Sequence, residues 1–270
     1  MGERFEKIKI RSLTIIIGVP LVVLIIYAGG PTFHLFIGLI AILGSIELNN
    51  IFKNKYNPSL LITILATLFF LYRRSVLIFL AGSENLLFST IILIVFLINF
   101  VKKTEKKYMV VNISLTIFIA IYIGHLLSFL IDIRYLADGE ILLIFVLFTT
   151  WMSDAAAYIV GIKFGKKHIF PKISPNKTME GSIGGLIGGS IAGLFFYKLL
   201  PIHSILLLAL GLIAAVTGQL GDLFESIIKR NFGVKDSSTI IPGHGGILDC
   251  MDSILFSATV LYFFFHYLSF

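Results

Sequence analysis

The chain has 270 residues, 57% of them hydrophobic and 14% charged, with a net charge of +7 and one cysteine, Cys250. Soluble domains carry roughly 25% charged residues, so this composition excludes an ordinary water-soluble domain; the single cysteine excludes an intrachain disulfide. The apolar residues gather in long runs, as an all-α polytopic membrane protein requires.

In chain order, about nine runs are predicted to span a bilayer. They cover 12–29, 31–51, 58–72, 86–101, 109–131, 140–162, 182–199, 203–228 and 252–269. Arg73 and Arg74 split the third run from the fourth, leaving 75–82 to either span or to a short interfacial piece. No convincing small-residue cleavage site follows the first run, which therefore reads as a retained helix.

With the N-terminus in the cytoplasm, alternating helices put every Lys and Arg on the cytoplasmic side except Arg73, Arg74, Arg134 and Lys198. The positive-inside rule is then obeyed at each loop, with the C-terminus on the far side. The basic charge is spread over short membrane-flanking loops, which argues against a nucleic-acid stripe. The expected organisation is five N-terminal spans over 1–135 and a catalytic transmembrane region over 136–270. Two cytoplasmic loops in the latter, 163–181 and 229–251, are longer and more polar than the other connections, and functional residues concentrate in such loops.

The second loop leads into Asp249-x-x-Asp252. At the start of a helix, residues three apart share a face. Asp222, near the cytoplasmic end of the eighth span, lies at about the same depth. Three carboxylates converging there would repel one another unless a cation sat among them, and hard oxygen donors suit Mg²⁺, with room for a second ion. Taken separately, Asp249 reads equally well as a helix N-cap and Asp252 as a first-turn acid. Lys229, Arg230 and Lys235 supply positive charge for phosphates. His244-Gly245-Gly246 follows, and consecutive glycines let backbone N–H groups approach an anion. Metal and phosphate ligands on one segment form a pattern for phosphoryl or nucleotidyl transfer.

The order Ser226-x-x-Lys229-Arg230, Lys235-Asp236, Pro242-x-His244-Gly245-Gly246, Asp249-x-x-Asp252 resembles the hallmark of the phosphatidate cytidylyltransferase (CDP-diacylglycerol synthase) family. Cys250 stands where that family normally has Arg. The block Ser153–Gly181 is similar to the family's other cytoplasmic segment, with Asn176 and Met179 in place of the usual Lys and Trp. Arg11-x-x-Thr14 and Pro20 are a weaker match.

The resemblance implies transfer of a cytidylyl group from CTP to phosphatidate, with Mg²⁺, in the cell inner membrane. It assigns Asp222, Asp249 and Asp252 to the cation. Lys229, Arg230, Lys235 and His244, beside Gly245 and Gly246, go to phosphates, with Asp236 orienting or pairing a lysine. Ser174, Lys177, Thr178 and Glu180 form the facing wall. Asp154 and Glu47 are intramembrane acids of undecided role, and His34 and His125 read as hydrogen-bonded core residues. Glycines at 181, 185 and 189, and at 184 and 188, permit close helix contact; internal packing is the default reading, a homodimer contact the other. Competing functions are a CTP-dependent polyprenol or phytol kinase and a transporter. The run typical of a CDP-alcohol phosphotransferase is absent.

Overall fold

The computed structural model describes residues 2–74, 84–101 and 106–267, with side chains from residue 12 onward except at 84–88, 98–101 and 106. The expected boundary piece 75–82 and Lys102 and Lys103 lie outside the described residues, as do the side chains of Arg4, Lys7, Lys9, Arg11 and Lys106.

Helices α1 (Gly2–Ala28) and α2 (Gly30–Phe52) meet at Gly29, whose φ of +58° turns the chain back. A Cβ there would stand 2.7 Å from the Arg134 guanidinium, which donates to Ile26 O. Then come α3 (Leu60–Leu71) and α4 (Glu84–Val101). α5 (Lys106–Ile119) runs through a π-helical turn, Ala120–His125, into α6 (Leu126–Arg134), making one apolar rod from 107 to 134. α7 (Gly139–Phe164) leads to an antiparallel hairpin, β1 (His168–Phe170) with β2 (Ser174–Thr178). α8 (Met179–Gly193), α9 (Ser204–Asn231) and α10 (Ile247–Tyr267) complete the chain.

Six of the described helical rods are long and apolar enough to cross a membrane: 30–52, 107–134, 139–164, 179–196, 204–231 and 247–267. Two shorter apolar helices, 12–28 and 60–71, accompany them. The expectation of an all-α polytopic membrane protein holds. Leu24, Leu35, Leu61, Ile162, Ile187 and Ile205 are exposed, as lipid-facing residues are.

Lipid tails are as apolar as leucine, so close packing and hydrogen bonds hold such helices together. The glycines of α8 supply the packing. Gly184 and Gly188 abut Val160 and Ala156 of α7, while Gly189 meets Ala215 of α9 and Gly193 the Leu207 backbone. The spacing read from the sequence thus serves contacts within one chain. Tying the N-terminal helices to this unit, Asn54 and Lys55 at the end of α2 donate to Phe232 O and Asn231 O at the end of α9. At the opposite end of the bundle, Arg73 pairs with Asp132 and Arg134 with Glu140, and His34 bonds to Gly30 O and Tyr135 Oη. His34 is a hydrogen-bonded structural residue, as expected.

Both long loops are shorter than the apolar pattern indicates. α9 persists to Asn231 because Lys229 pairs with Glu225 one turn back at 2.7 Å, keeping its charge on the helix. α10 starts at Ile247, five residues ahead of the apolar run, because its first N–H groups find carboxylate acceptors.

Candidate active site

The polar ends of α2, α7, α8, α9 and α10 meet at one end of the bundle. Thr178 caps α8 by accepting from Gly181 N at 3.2 Å, and Glu180 accepts from Lys166 N and Lys167 N just after α7. These bonds hold β2 against α7 and α8, so that Lys177 reaches Asp222 on α9, Nζ to Oδ2, at 2.6 Å. Ser226 Oγ donates to Asp222 Oδ1 at 3.3 Å. Beside this pair opens a groove of about 820 Å³ between α7, α8, α9 and the hairpin. Asp154, Lys177 and Asp222 are among its polar lining, with His168, Asn176 and Gln219; Tyr158, Ile162, Leu186 and Leu220 are among its apolar lining. Asp154 faces this groove from within a membrane-length helix, and an acid at such a position needs a partner or a function.

About two helical turns along α9 from Asp222, Lys229 is buried and holds two carboxylates, Glu225 Oε2 at 2.7 Å and Asp249 Oδ1 at 2.5 Å. Asp249 Oδ2 accepts from Gly246 N, Ser237 N and Ser237 Oγ at 2.8–2.9 Å. Asp249 therefore has one oxygen engaged by the loop and one turned to the cation. Asp249 is not the N-cap: the helix starts at Ile247, and Asp249 at its third position accepts from the N–H of the cap residue, Gly246.

Asp252 is buried and accepts from Ser253 N at 2.6 Å. Its carboxyl lies within electrostatic range of Asp222 and Glu225. Glu225 is fully buried, and its Oε1 has no donor among the described residues. Two carboxylates this close and this dry require a proton or a cation between them. The orphaned oxygen accepts either one. Among the described residues no three His, Cys, Asp or Glu side chains are arranged as a ready-made metal cage; Asp222 and Asp249 each face a lysine instead.

The other expected contacts are dispersed. Arg230 donates to two backbone carbonyls, Ile173 O at 3.0 Å and Val234 O at 2.8 Å, tying the hairpin turn to the 232–246 loop. Lys235 and Asp236 are exposed on that loop, and Ser174 opens β2. His244 is half-buried, with Nδ1 unpartnered among the described residues. Gly245 takes φ +102°, and a Cβ there would meet Asp249 Oδ2 at 2.6 Å.

Sequence reasoning missed three residues here. Glu225 could have been found, since Asp222-x-x-Glu225 repeats the spacing of Asp249-x-x-Asp252. Gln219, which exchanges hydrogen bonds with Ser182 across α8 and α9, carried no signal. Neither did Tyr122, whose buried hydroxyl lies in the electrostatic reach of Glu225, Asp252 and Asp222.

A profile of the cytidylyltransferase family matches residues 9–268. The chain belongs to that family. Among curated members, the phosphatidate cytidylyltransferase of Staphylococcus haemolyticus (strain JCSC1435) is 34% identical over 259 residues, covering 94% of this chain and 97% of that protein. The one from Staphylococcus aureus (strain COL) is 32% identical over 260 residues, with the same coverage. The Bacillus subtilis (strain 168) protein is 46% identical over 147 residues, 53% of this chain and 55% of that protein. The Lys177–Asp222 and Lys229–Asp249 pairs thus belong to a cytidylyltransferase spanning nearly the whole chain.

Proposed function

We propose that the protein transfers the cytidylyl group of CTP to phosphatidate, giving CDP-diacylglycerol and pyrophosphate. The observation that carries this reading is the groove whose apolar walls end at Lys177, Asp222 and Asp154, about two helical turns from Lys229 and its carboxylates. A diacyl lipid fits such a groove with its chains among Tyr158, Ile162 and Leu220 and its phosphate at Lys177. CTP comes from the water side, over the 232–246 loop, where Lys235 and His244 meet its phosphates and Arg230 keeps loop and hairpin together.

The lipid phosphate is an anion near neutral pH and needs no strong base. One of its oxygens attacks the α-phosphorus of CTP; the bond from that phosphorus to the bridging oxygen breaks, and pyrophosphate leaves with the electron pair. The obstacle is repulsion between polyanions, which fixed positive charge removes. Lys177 and Lys229 supply it at positions set by Asp222, Glu225 and Asp249. Asp222, Asp249 and Asp252, with Glu225 beside them, would hold Mg²⁺ and any second cation. Such an ion polarises phosphoryl oxygens and screens their charge.

In the proposed topology nine helices cross the cell inner membrane, with the N-terminus and the site on the cytoplasmic side and the C-terminus opposite. The distribution of Lys and Arg supports this orientation. The α8 glycines serve contacts inside one chain, so a homodimer would use other surfaces.

Purified protein given CTP labelled in the cytidine, phosphatidate and Mg²⁺ should place label on the lipid and release pyrophosphate. Release of CDP with unlabelled lipid would instead identify a CTP-dependent lipid kinase, and flux across sealed vesicles without chemistry a transporter.

A further inference from the structure

The helix that carries Asp249 and Asp252 begins at a glycine. Gly246 occupies the N-cap position of α10, where a Ser, Thr, Asp or Asn side chain normally accepts from the exposed N–H groups of the first turn. Gly246 has no side chain to do so. Only half of a capping box comes from the local sequence: Asp249 bonds back to Gly246 N at 2.8 Å.

The other half comes from 200 residues away. Glu47, on α2 and 2% exposed, accepts from Ile247 N through Oε1 and from Leu248 N through Oε2, both at 2.9 Å. The same two oxygens accept from Ser238 Oγ at 2.6 Å and Ser237 Oγ at 3.0 Å. A Cβ added to Gly246 would collide with Ser237 Oγ and stand 2.5 and 2.6 Å from the two Glu47 oxygens. The space a cap side chain would fill is therefore taken by Glu47 and by the Ser237 hydroxyl that bonds to it, which explains why the cap residue is glycine.

We propose that Glu47 is a positioning residue: it caps α10 from a distant helix and sets how Asp249 presents Oδ1, the oxygen that meets Lys229, to the site. Ser237 couples the two acids. Its hydroxyl lies within bonding distance of Glu47 Oε2 and Asp249 Oδ2, and has one proton to donate. Glu47 meanwhile secures the loop through Ser238, and Thr14 of α1 secures the same loop by donating to Pro242 O at 3.1 Å. The N-terminal helices thereby set the geometry of a site whose charged groups lie in the C-terminal half. This inference rests on the proposed cytidylyl transfer for its activity readout and is independent of it for its structural one.

The test compares wild type, Glu47→Ala, Gly246→Ser and the double variant in detergent. Cys250, the single cysteine, lies on the first turn of α10 and reports its opening by maleimide labelling. Either single variant should raise the labelling rate by about tenfold and lower kcat by a similar factor, the worth of a lost cap. KM for phosphatidate should stay within about twofold, because the groove lies between α7, α8 and α9 and remote tightening acts on turnover. The double variant, made both with Ser237 and with Ser237→Ala so that no hydroxyl meets the new Cβ, places a serine cap in the space vacated, and should bring both labelling and kcat back toward wild type in at least one of the two backgrounds. Wild-type labelling in Glu47→Ala, or double variants no better than their worse parent in both Ser237 backgrounds, overturns the proposal. Rescue of labelling in a protein that never transfers cytidylyl leaves the cap standing and removes the assigned reaction instead.

Discussion

Lys177 Nζ lies 2.6 Å from Asp222 Oδ2, joining the β-hairpin segment to α9 where the apolar groove reaches charged residues. Both side chains are about one-third exposed, so solvent weakens their mutual attraction and the pair contributes little to stability. Lys177→Met should accordingly leave the protein folded. It should lower cytidylyl transfer by about 100-fold, as loss of one fixed charge at a reacting phosphate does. Transfer of label from CTP to lipid, beside an unchanged thermal midpoint, checks both halves.

Lys229 poses the opposite case. It is buried between Glu225 and Asp249, so its removal leaves two carboxylates without their cation. Breaking a buried pair from one side costs about 3–5 kcal/mol. Lys229→Met should lower the thermal midpoint and abolish turnover together. Adding Glu225→Gln should return part of the stability, by removing one unpaired charge, without returning activity. A thermal melt of the three proteins separates these outcomes.

The helical class and the polar segments were legible because their signals are local: apolar runs of membrane length, and acids three apart. The hairpin at 168–178 was not, since its strands are three and five residues long and a register shift between His168 and Phe170 breaks any alternating pattern. The start of α10 was misread for a different reason. Its cap comes from Glu47, and a bond across 200 residues leaves no trace in the sequence near position 247. The same holds for Arg230, which resembles a phosphate ligand by its neighbours but donates to Ile173 O and Val234 O. Residue type was readable in each case, whereas the partner depended on how distant helices pack.

Cys250 occupies a half-buried position within electrostatic range of Asp249, Asp252, Glu47 and Glu225. A cation placed there meets four acidic groups and is favoured by all of them. Cys250→Arg should therefore preserve or raise turnover, with no loss of folded yield. Inactive Cys250→Arg protein would mean that this chain has rebuilt its first helical turn around the smaller side chain.

Asp252 allows the charge and the shape of the site to be separated. Its Oδ1 accepts from Ser253 N, its backbone carbonyl packs against Gly221, and its carboxyl adjoins Glu225. Asn at this position keeps the volume, keeps an acceptor for Ser253 N and can donate to Glu225 Oε1, which now has no donor among the described residues. Asp252→Asn should therefore fold with unchanged or slightly higher stability. With one negative charge gone from the proposed cation site, transfer should fall by at least about 100-fold, and chelation of divalent ions from the wild-type protein should cause a comparable loss. Raising the Mg²⁺ concentration should restore the chelated wild type and not the variant. Near-normal transfer by Asp252→Asn would remove Asp252 from any cation-binding role and leave Asp222 and Asp249 facing only their lysines.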